Sequence, residues 1–219
     1  MPETFRDARA YPSFLEAYWL KTTNAQVQAL EAQVQALSDG FTTKRAQGFK
    51  DYFADASARG AYGVFFFPQS WARARIALAE VIDMHGWQPP KNARVLDIGA
   101  GLGAASLGAA MLLREREVCQ TVELTLLDHS NAALSQAAAL TRACAAQLPG
   151  IALKKTLTQK LPAFLKNKTR ESESYDLIIA AFALNEVWAG YSARQRAELI
   201  KDLSRHLSLT GVLLVLEPA

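Results

Sequence analysis

Apolar residues recur in two rhythms along this chain. In the first part they fall at helical spacing: Val27, Leu30, Val34 and Leu37 lie inside a stretch where AQVQAL occurs twice, at 25–30 and 32–37. The spacing predicts a helix over 13–37, stopped by Ser38-Asp39-Gly40. Two such heptads are too few for a coiled coil, so the helix is expected to pack on its own domain. Residues 41–63 mix glycines with charge and aromatics and read as short helices and a loop. Pro68, after Phe65, Phe66 and Phe67, marks the entry to a helix over 69–85, capped by Gln69 or Ser70. Trp71, Ile76, Leu78, Val81 and Ile82 form its apolar side, and Gly86 and Pro89-Pro90 end it.

From residue 91 short apolar runs alternate with helical stretches. Strands are predicted at 93–98 (ARVLDI), 123–128 (ELTLLD), 151–157, 175–182 (YDLIIAAF) and 211–216 (GVLLVL). Helices are predicted between them at 104–116, 132–148 and 192–207. Strands that are apolar on both faces belong to a parallel sheet covered on both sides. Right-handed crossovers then give an α/β, doubly wound, Rossmann-like and mostly parallel sheet of about five strands. The expected organisation is a helical region over 1–90 and the α/β domain over 91–219.

Composition narrows the class. Half of the 219 residues are hydrophobic and 21% are charged, which is ordinary for a globular chain, and a net charge of +3 excludes a polybasic tail. The two cysteines, Cys119 and Cys144, form no Cys-x-x-Cys pair, so the chain alone builds no zinc ribbon or iron–sulfur site. Lone thiols fit a reducing compartment. The first residues carry Glu3, Arg6, Asp7 and Arg9 with no apolar core behind them, unlike a signal peptide. The longest uncharged run, Ile98 to Leu113, contains Gly99, Gly101, Gly103 and Gly108 and reads as a glycine turn entering a helix, not a membrane span. A cytoplasmic protein with no membrane partner is expected.

That turn is the sharpest motif. Val95-Leu96-Asp97-Ile98-Gly99-Ala100-Gly101-Leu102-Gly103 runs a strand into a bend lacking side chains at alternate positions, where backbone N–H groups can approach a ligand. A bare tight turn is the alternative. Asp97, two residues before the first glycine, would repel a pyrophosphate and suits a ligand bearing a cation. Asp128, at the tip of the next strand, is placed to accept both hydroxyls of a ribose, and His129 beside it can touch the nucleoside. A nucleoside with a positive, phosphate-free tail describes S-adenosylmethionine.

On these residues the chain resembles the class I S-adenosylmethionine-dependent methyltransferases over 93–218. VLDIGAGLG is similar to their first motif, LLDHS to their second and YDLIIAAFALNEV to their fourth. The resemblance implies that Asp97, Gly99, Ala100, Gly101 and Gly103 line the methionine end and Asp128 the ribose. The adenine amine would meet Thr158, Gln159 or a backbone amide, since the third strand ends without the usual acid or amide. A narrower resemblance is carried by the order of LSDGFTTKR (37–45), AYGVFFFP (61–68), the glycine motif, FALNEV (182–187) and VLLVLEP (212–218). These pieces resemble the methyltransferase-like proteins associated with the mitochondrial and bacterial small ribosomal subunit. That resemblance implies ribosomal RNA or the small ribosomal subunit as partner, either as methyl acceptor or in assembly without catalysis. A small-molecule methyltransferase is the further alternative.

Members of that family continue past the Glu-Pro into further strands and a cysteine cluster, whereas this sequence stops at Ala219. Strands six and seven of the methyltransferase sheet are therefore expected to be absent. The fifth strand would then be an apolar edge through which the chain self-associates unless the N-terminal helices cover it.

Methyl transfer from a sulfonium depends on alignment more than on acid–base help. Asn185 and Glu186, after the fourth strand, are the catalytic candidates, Asn185 as acceptor for an amine or hydroxyl and Glu186 as proton acceptor. Capping the next helix is the competing reading. Cys119 and Cys144 fall away from the site and read as inert, and His85, His129 and His206 have no ligand spacing. Lys154, Lys155, Lys160, Lys166, Lys168 and Arg170 form an acid-free basic run that could follow a phosphate backbone or be a solvated loop. Arg73 and Arg75 are a second candidate phosphate contact. The three phenylalanines are expected either to stack on a base or to be buried under the sheet's edge.

Overall fold

A computed structural model describes residues 11–23, 27–42, 51–166, 174–188 and 190–217. Its centre is a parallel five-stranded sheet in the order β3-β2-β1-β4-β5. The strands are β1 (Asn92–Ile98), β2 (Thr121–Asp128), β3 (Ile151–Thr158), β4 (Tyr175–Ala181) and β5 (Leu207–Leu216). Side-chain alternation divides the interior in two. Val95, Leu124, Leu126, Leu177 and Ile179 face one layer, and Leu96, Ile98, Leu127, Ile178 and Ala180 the other. Helices cover both, so the central strands are apolar on each side.

The first layer holds α1 (Ser13–Thr23), α4 (Phe67–Asp83), α5 (Ala104–Glu115) and α6 (Asn131–Gln147). Every residue of α5 from Ala104 to Leu113 is buried, because it lies between sheet and α4. The two helices pack closely at Gly108, where a Cβ would lie 2.6 Å from the Trp71 carbonyl oxygen. The second layer is formed by α7 (Leu161–Leu165) and α9 (Ala193–Ser204), the latter opened by a Ser192–Gln195 capping box. Leu15, Trp19, Phe53, Phe67 and Trp71 share one core with the sheet, so packing is continuous across residue 90.

Several predicted boundaries move. The helix expected over 13–37 is two helices, α1 and α2 (Val27–Thr42), and α2 runs on through Ser38-Asp39-Gly40 to Thr42. Leu37 of α2 is buried against Ala58 and Ala61 of α3 (Ala56–Ala61), with Leu30 and Val34 beside it, so α2 packs on its own chain. Neither Gln69 nor Ser70 caps α4. The helical path comes from α3 through a wide π turn, Tyr62–Phe66, directly into Phe67. A proline ring clashes with the carbonyl four residues earlier in a regular helix, and the wider turn ahead of Pro68 relieves that clash. Gln69 instead donates from Nε2 to the Phe65 carbonyl at 2.9 Å. Of the three phenylalanines only Phe67 is buried; Phe66 is half-buried and Phe65 exposed. β5 starts at Leu207, earlier than expected, with an irregularity in its pairing between Tyr175 and Leu177. Among the described residues no helix is long and apolar enough to cross a membrane.

Candidate functional site

The chain passes from β1 outward to β2 and β3, then returns to β4 on the other side of β1. Ligands of doubly wound sheets bind outside the strand ends at such a switch. A cleft of about 1240 Å³ opens there, floored by Ile98, Leu127, Ala181 and Leu216.

Gly99, Gly101 and Gly103 all have left-handed backbones, with φ of +65°, +50° and +79°. Side chains would also fill the space: a Cβ at Gly99 would lie 2.4 Å from the Ala183 Cβ, and one at Gly101 3.1 Å from Phe53 Cε2. The turn is folded onto the tip of β2. Ala100 N–H donates to the Leu127 carbonyl at 3.0 Å, and Gly101 N–H to Asp128 Oδ2 at 2.8 Å. Asp128 Oδ1 accepts the Ser130 N–H at 2.8 Å and lies 3.3 Å from His129 Nδ1. Asp128 is only 7% exposed, whereas the His129 side chain is 47% exposed.

Asp97 has another place. It is 1% exposed and does not line the cleft. It shares the strand face of Val95, toward α5, and its Oδ2 accepts the Ser106 N–H at 3.1 Å. Gly103, the N-cap of α5, has no side chain to satisfy that first-turn amide, and Asp97 does so instead. Burial pushes its carboxyl up to about 7; the Ser106 hydrogen bonds oppose this and the neighbouring Asp128 adds to it.

Of the residues singled out in the sequence, Gly99, Gly101, Asp128, His129 and Asn185 line the cleft together. Asp97, Ala100, Gly103 and Thr158 do not; Thr158 Oγ1 faces Asn131 Oδ1 at 3.4 Å, while its neighbour Gln159 does line it. The Glu186 side chain lies outside the described residues. Asn185 sits in α8 (Leu184–Val187), whose first amides are held by Glu217, just past β5. Glu217 Oε1 accepts the Leu184 N–H at 2.7 Å and the Asn185 N–H at 3.2 Å, and Oε2 accepts Asn185 Nδ2 at 2.7 Å. A carboxylate only accepts, so Nδ2 must face it and Oδ1 is left as the available acceptor. The cap of α8 is therefore Glu217 and not Asn185, which lines the cleft.

Of the other walls, Phe66 and Arg73 were candidate nucleic-acid contacts, whereas Phe41, Tyr52, Phe53 and Tyr62 had no expected role. Phe41, Tyr52, Phe53, Tyr62 and Phe66 line one side, their neighbouring ring centroids 4.2–6.4 Å apart. Phe182, at the tip of β4, has φ +60° and carries the Arg73 guanidinium 5.4 Å from its ring centroid. Aromatic content before the glycine motif was the available signal, but helical spacing alone does not tell a cleft wall from a core.

Other candidates lie elsewhere. Arg75 is not a phosphate contact: it is 2% exposed, 2.6 Å from Glu115 and stacked on Trp71. Cys119 and Cys144 are buried, and burial pushes their thiols up to about 11 and about 12, which suits inert residues. His206 is buried against Phe164, and burial lowers its pKa; His85 is exposed. Lys160 lines the cleft and Lys154, Lys155 and Lys166 are exposed, while Lys168 and Arg170 lie outside the described residues.

No protein-family model and no curated protein matches the chain. Solved structures similar in chain path include three methyltransferases. The first is a putative class I S-adenosylmethionine-dependent methyltransferase from Listeria monocytogenes: 15% identity, 85% of this chain and 53% of that one, TM-score 0.45. The second is an arsenic(III) S-adenosylmethionine methyltransferase from Chlamydomonas reinhardtii: 24% identity, 64% and 46%, TM-score 0.43. The third is a magnesium protoporphyrin IX methyltransferase from Synechocystis with bound S-adenosylmethionine: 17% identity, 80% and 72%, TM-score 0.41. The chain spans about half the length of the first two. The five-stranded parallel order and its flanking helices define a Rossmann-like domain.

Proposed function

We propose that the protein binds S-adenosylmethionine in this cleft and transfers its methyl group, with ribosomal RNA of the small ribosomal subunit as acceptor. One observation carries the cofactor reading: the glycine turn and the strand-tip carboxylate, remote in sequence, meet at the cleft with Gly101 N–H 2.8 Å from Asp128 Oδ2. The residues fit the cofactor. The glycine cradle would be filled by Cβ atoms, and Asp128 Oδ2 accepts one hydrogen bond among those described, leaving a lone pair for a ribose hydroxyl. His129 stands at the entrance to that carboxylate, and Gln159 is at hand for the adenine amine.

The bound cofactor supplies a methyl group on a positively charged sulfur, and the sulfur departs neutral. The protein therefore has no leaving group to protonate, and its contribution is alignment. Asn185 Oδ1 accepts the N–H or O–H of the acceptor and fixes its direction, Glu217 holds Asn185, and Glu186 is the candidate to take the released proton. Asp97 acts indirectly, by holding the start of α5 beneath the turn.

The ribosomal reading is supported by the order of the sequence pieces from 37 to 218 and by exposed Lys154 and Lys155, with Lys160 in the cleft. A second reading, methyl transfer to a small molecule, is favoured by the aromatic wall that encloses one side of the cleft. Calorimetry with S-adenosylmethionine on the wild type and Asp128→Ala tests the pocket. The substitution is expected to weaken binding about tenfold or more, as loss of a charged hydrogen bond does; equal affinities would remove the ribose assignment. Crosslinking to ribosomal RNA in cell extract separates the two acceptors.

A further inference from the structure

α4 has two faces. Phe67, Trp71, Ala74 and Leu78 are buried in the core, while Gln69, Arg73, Ile76 and Glu80 recur at helical spacing along the cleft. Arg73 is exposed there. Several other described arginines are tied down: Arg75 to Glu115, Arg94 to Asp176, Arg116 to Asp83, and Arg59 and Arg114 to backbone carbonyls. Arg73 has no carboxylate within pairing distance among the described residues, and its polar contact is Gln69 Oε1 at 3.5 Å. Its guanidinium lies 5.4 Å from the centre of the Phe182 ring, within cation–π range. Phe182 is held at φ +60°, a backbone conformation that a phenylalanine rarely adopts, and such strain concentrates at ligand sites. The same β4 tip leads to Asn185, so the ring, the guanidinium and the Asn185 amide border one space beside Gly99.

From this juxtaposition we propose that Arg73 receives an oxyanion of the methyl acceptor while Phe182 and the guanidinium face support a planar ring attached to it. The acceptor is thus a ring-bearing anion. This deepens the methyl-transfer reading of the cleft and rests on it. A guanidinium fork offers parallel N–H groups to a carboxylate or phosphate, which a lysine does not. Glu80, two turns along the same helix face, disfavours a second negative charge about 10 Å away, so one oxyanion is accommodated at this end. The oxyanion has two chemical sources, a nucleotide phosphate or the carboxylate of a small aromatic acid.

Calorimetric titration with uridine 5′-monophosphate against uridine, and benzoate against benzamide, tests this. Each pair is measured with and without saturating S-adenosylhomocysteine. The charged member of at least one pair is expected to bind about tenfold tighter than its neutral partner. Arg73→Gln should abolish that preference, Arg73→Lys should retain part of it, and Phe182→Leu should weaken charged and neutral members alike. The pair with the larger preference identifies the source. No charge preference in the wild type, or a preference that survives Arg73→Gln, overturns the proposal. If S-adenosylhomocysteine fails to bind while the Arg73-dependent preference persists, the cofactor reading falls and the anion subsite stands.

Discussion

Asp97 and Asp128 lie on the same face of adjacent strands, since Asp97 is paired with Leu126, but Asp128 stands two residues further toward the strand ends. Asp128 reaches the cleft, whereas Asp97 turns under α5 and replaces the side-chain cap that Gly103 cannot provide. Its carboxyl is raised from 3.8 to about 7, so the folded protein holds a proton there that the unfolded chain has lost. The stability associated with that proton is complete below the unfolded value and declines as pH rises through about 7. Asp97→Asn removes the dependence. Its melting temperature relative to wild type is expected to climb between pH 4 and pH 8 in thermal melts, and a flat difference would contradict the burial of this carboxyl. Glu217→Ala should free the first amides of α8 and lower stability by about 1 kcal/mol in denaturant titration. It should also reduce methyl transfer more than cofactor affinity, because Asn185 loses its anchor. Both acids and Asn185 were legible as candidates because a glycine turn and two strand ends bracket them. Which carboxylate met the cleft depended on how far along the sheet each stands, which needs the strand register, and Glu217 was hidden because its partners lie more than thirty positions away.

At the scale of elements, α4 and α5 cross backbone to backbone at Gly108. Gly108→Ala would drive a methyl group against the Trp71 carbonyl, which no side-chain rotation relieves. A destabilisation of about 1–3 kcal/mol is expected, seen as a fall of several degrees in melting temperature. The two ends of the described sheet differ. β3 exposes Lys154 and Lys155, which discourage strand pairing, whereas β5 has exposed Leu209 and Val215 and no charged residue. Leu209→Lys is expected to raise the concentration at which the protein self-associates in sedimentation; a monomer before and after the change would leave the edge without a role. Strand order and type were readable from apolar runs punctuated by glycine and proline. The helix through residues 56–83 was not, because Pro68 reads locally as a beginning while tertiary packing carries the helix through it.

The molecule as a whole is tied together by the core that α1, α4 and α5 share with the sheet. A piece beginning at residue 91 would uncover the α4-facing side of a helix that is otherwise buried from Ala104 to Leu113. It is expected to be insoluble when expressed, although the sequence placed a domain boundary there. The same continuity links the aromatic wall to the glycine turn through Phe53, whose ring borders Gly101. Saturating S-adenosylhomocysteine should therefore slow amide exchange at Tyr52–Ala54 as well as at the turn, and an effect confined to the turn would show the wall to be independent.

The wide turn at Tyr62–Phe66 also acts as a phase shifter. Each residue of an α-helix advances the azimuth by about 100°, and a π turn carries one residue more than the regular spiral accommodates. Excising Val64 alone would restore the ordinary pitch and rotate α3, with Phe53 and Tyr52 in its lead, by that angle about the axis of α4. One deleted residue, itself neither a wall nor a ligand, would swing half the aromatic enclosure away from the strand ends.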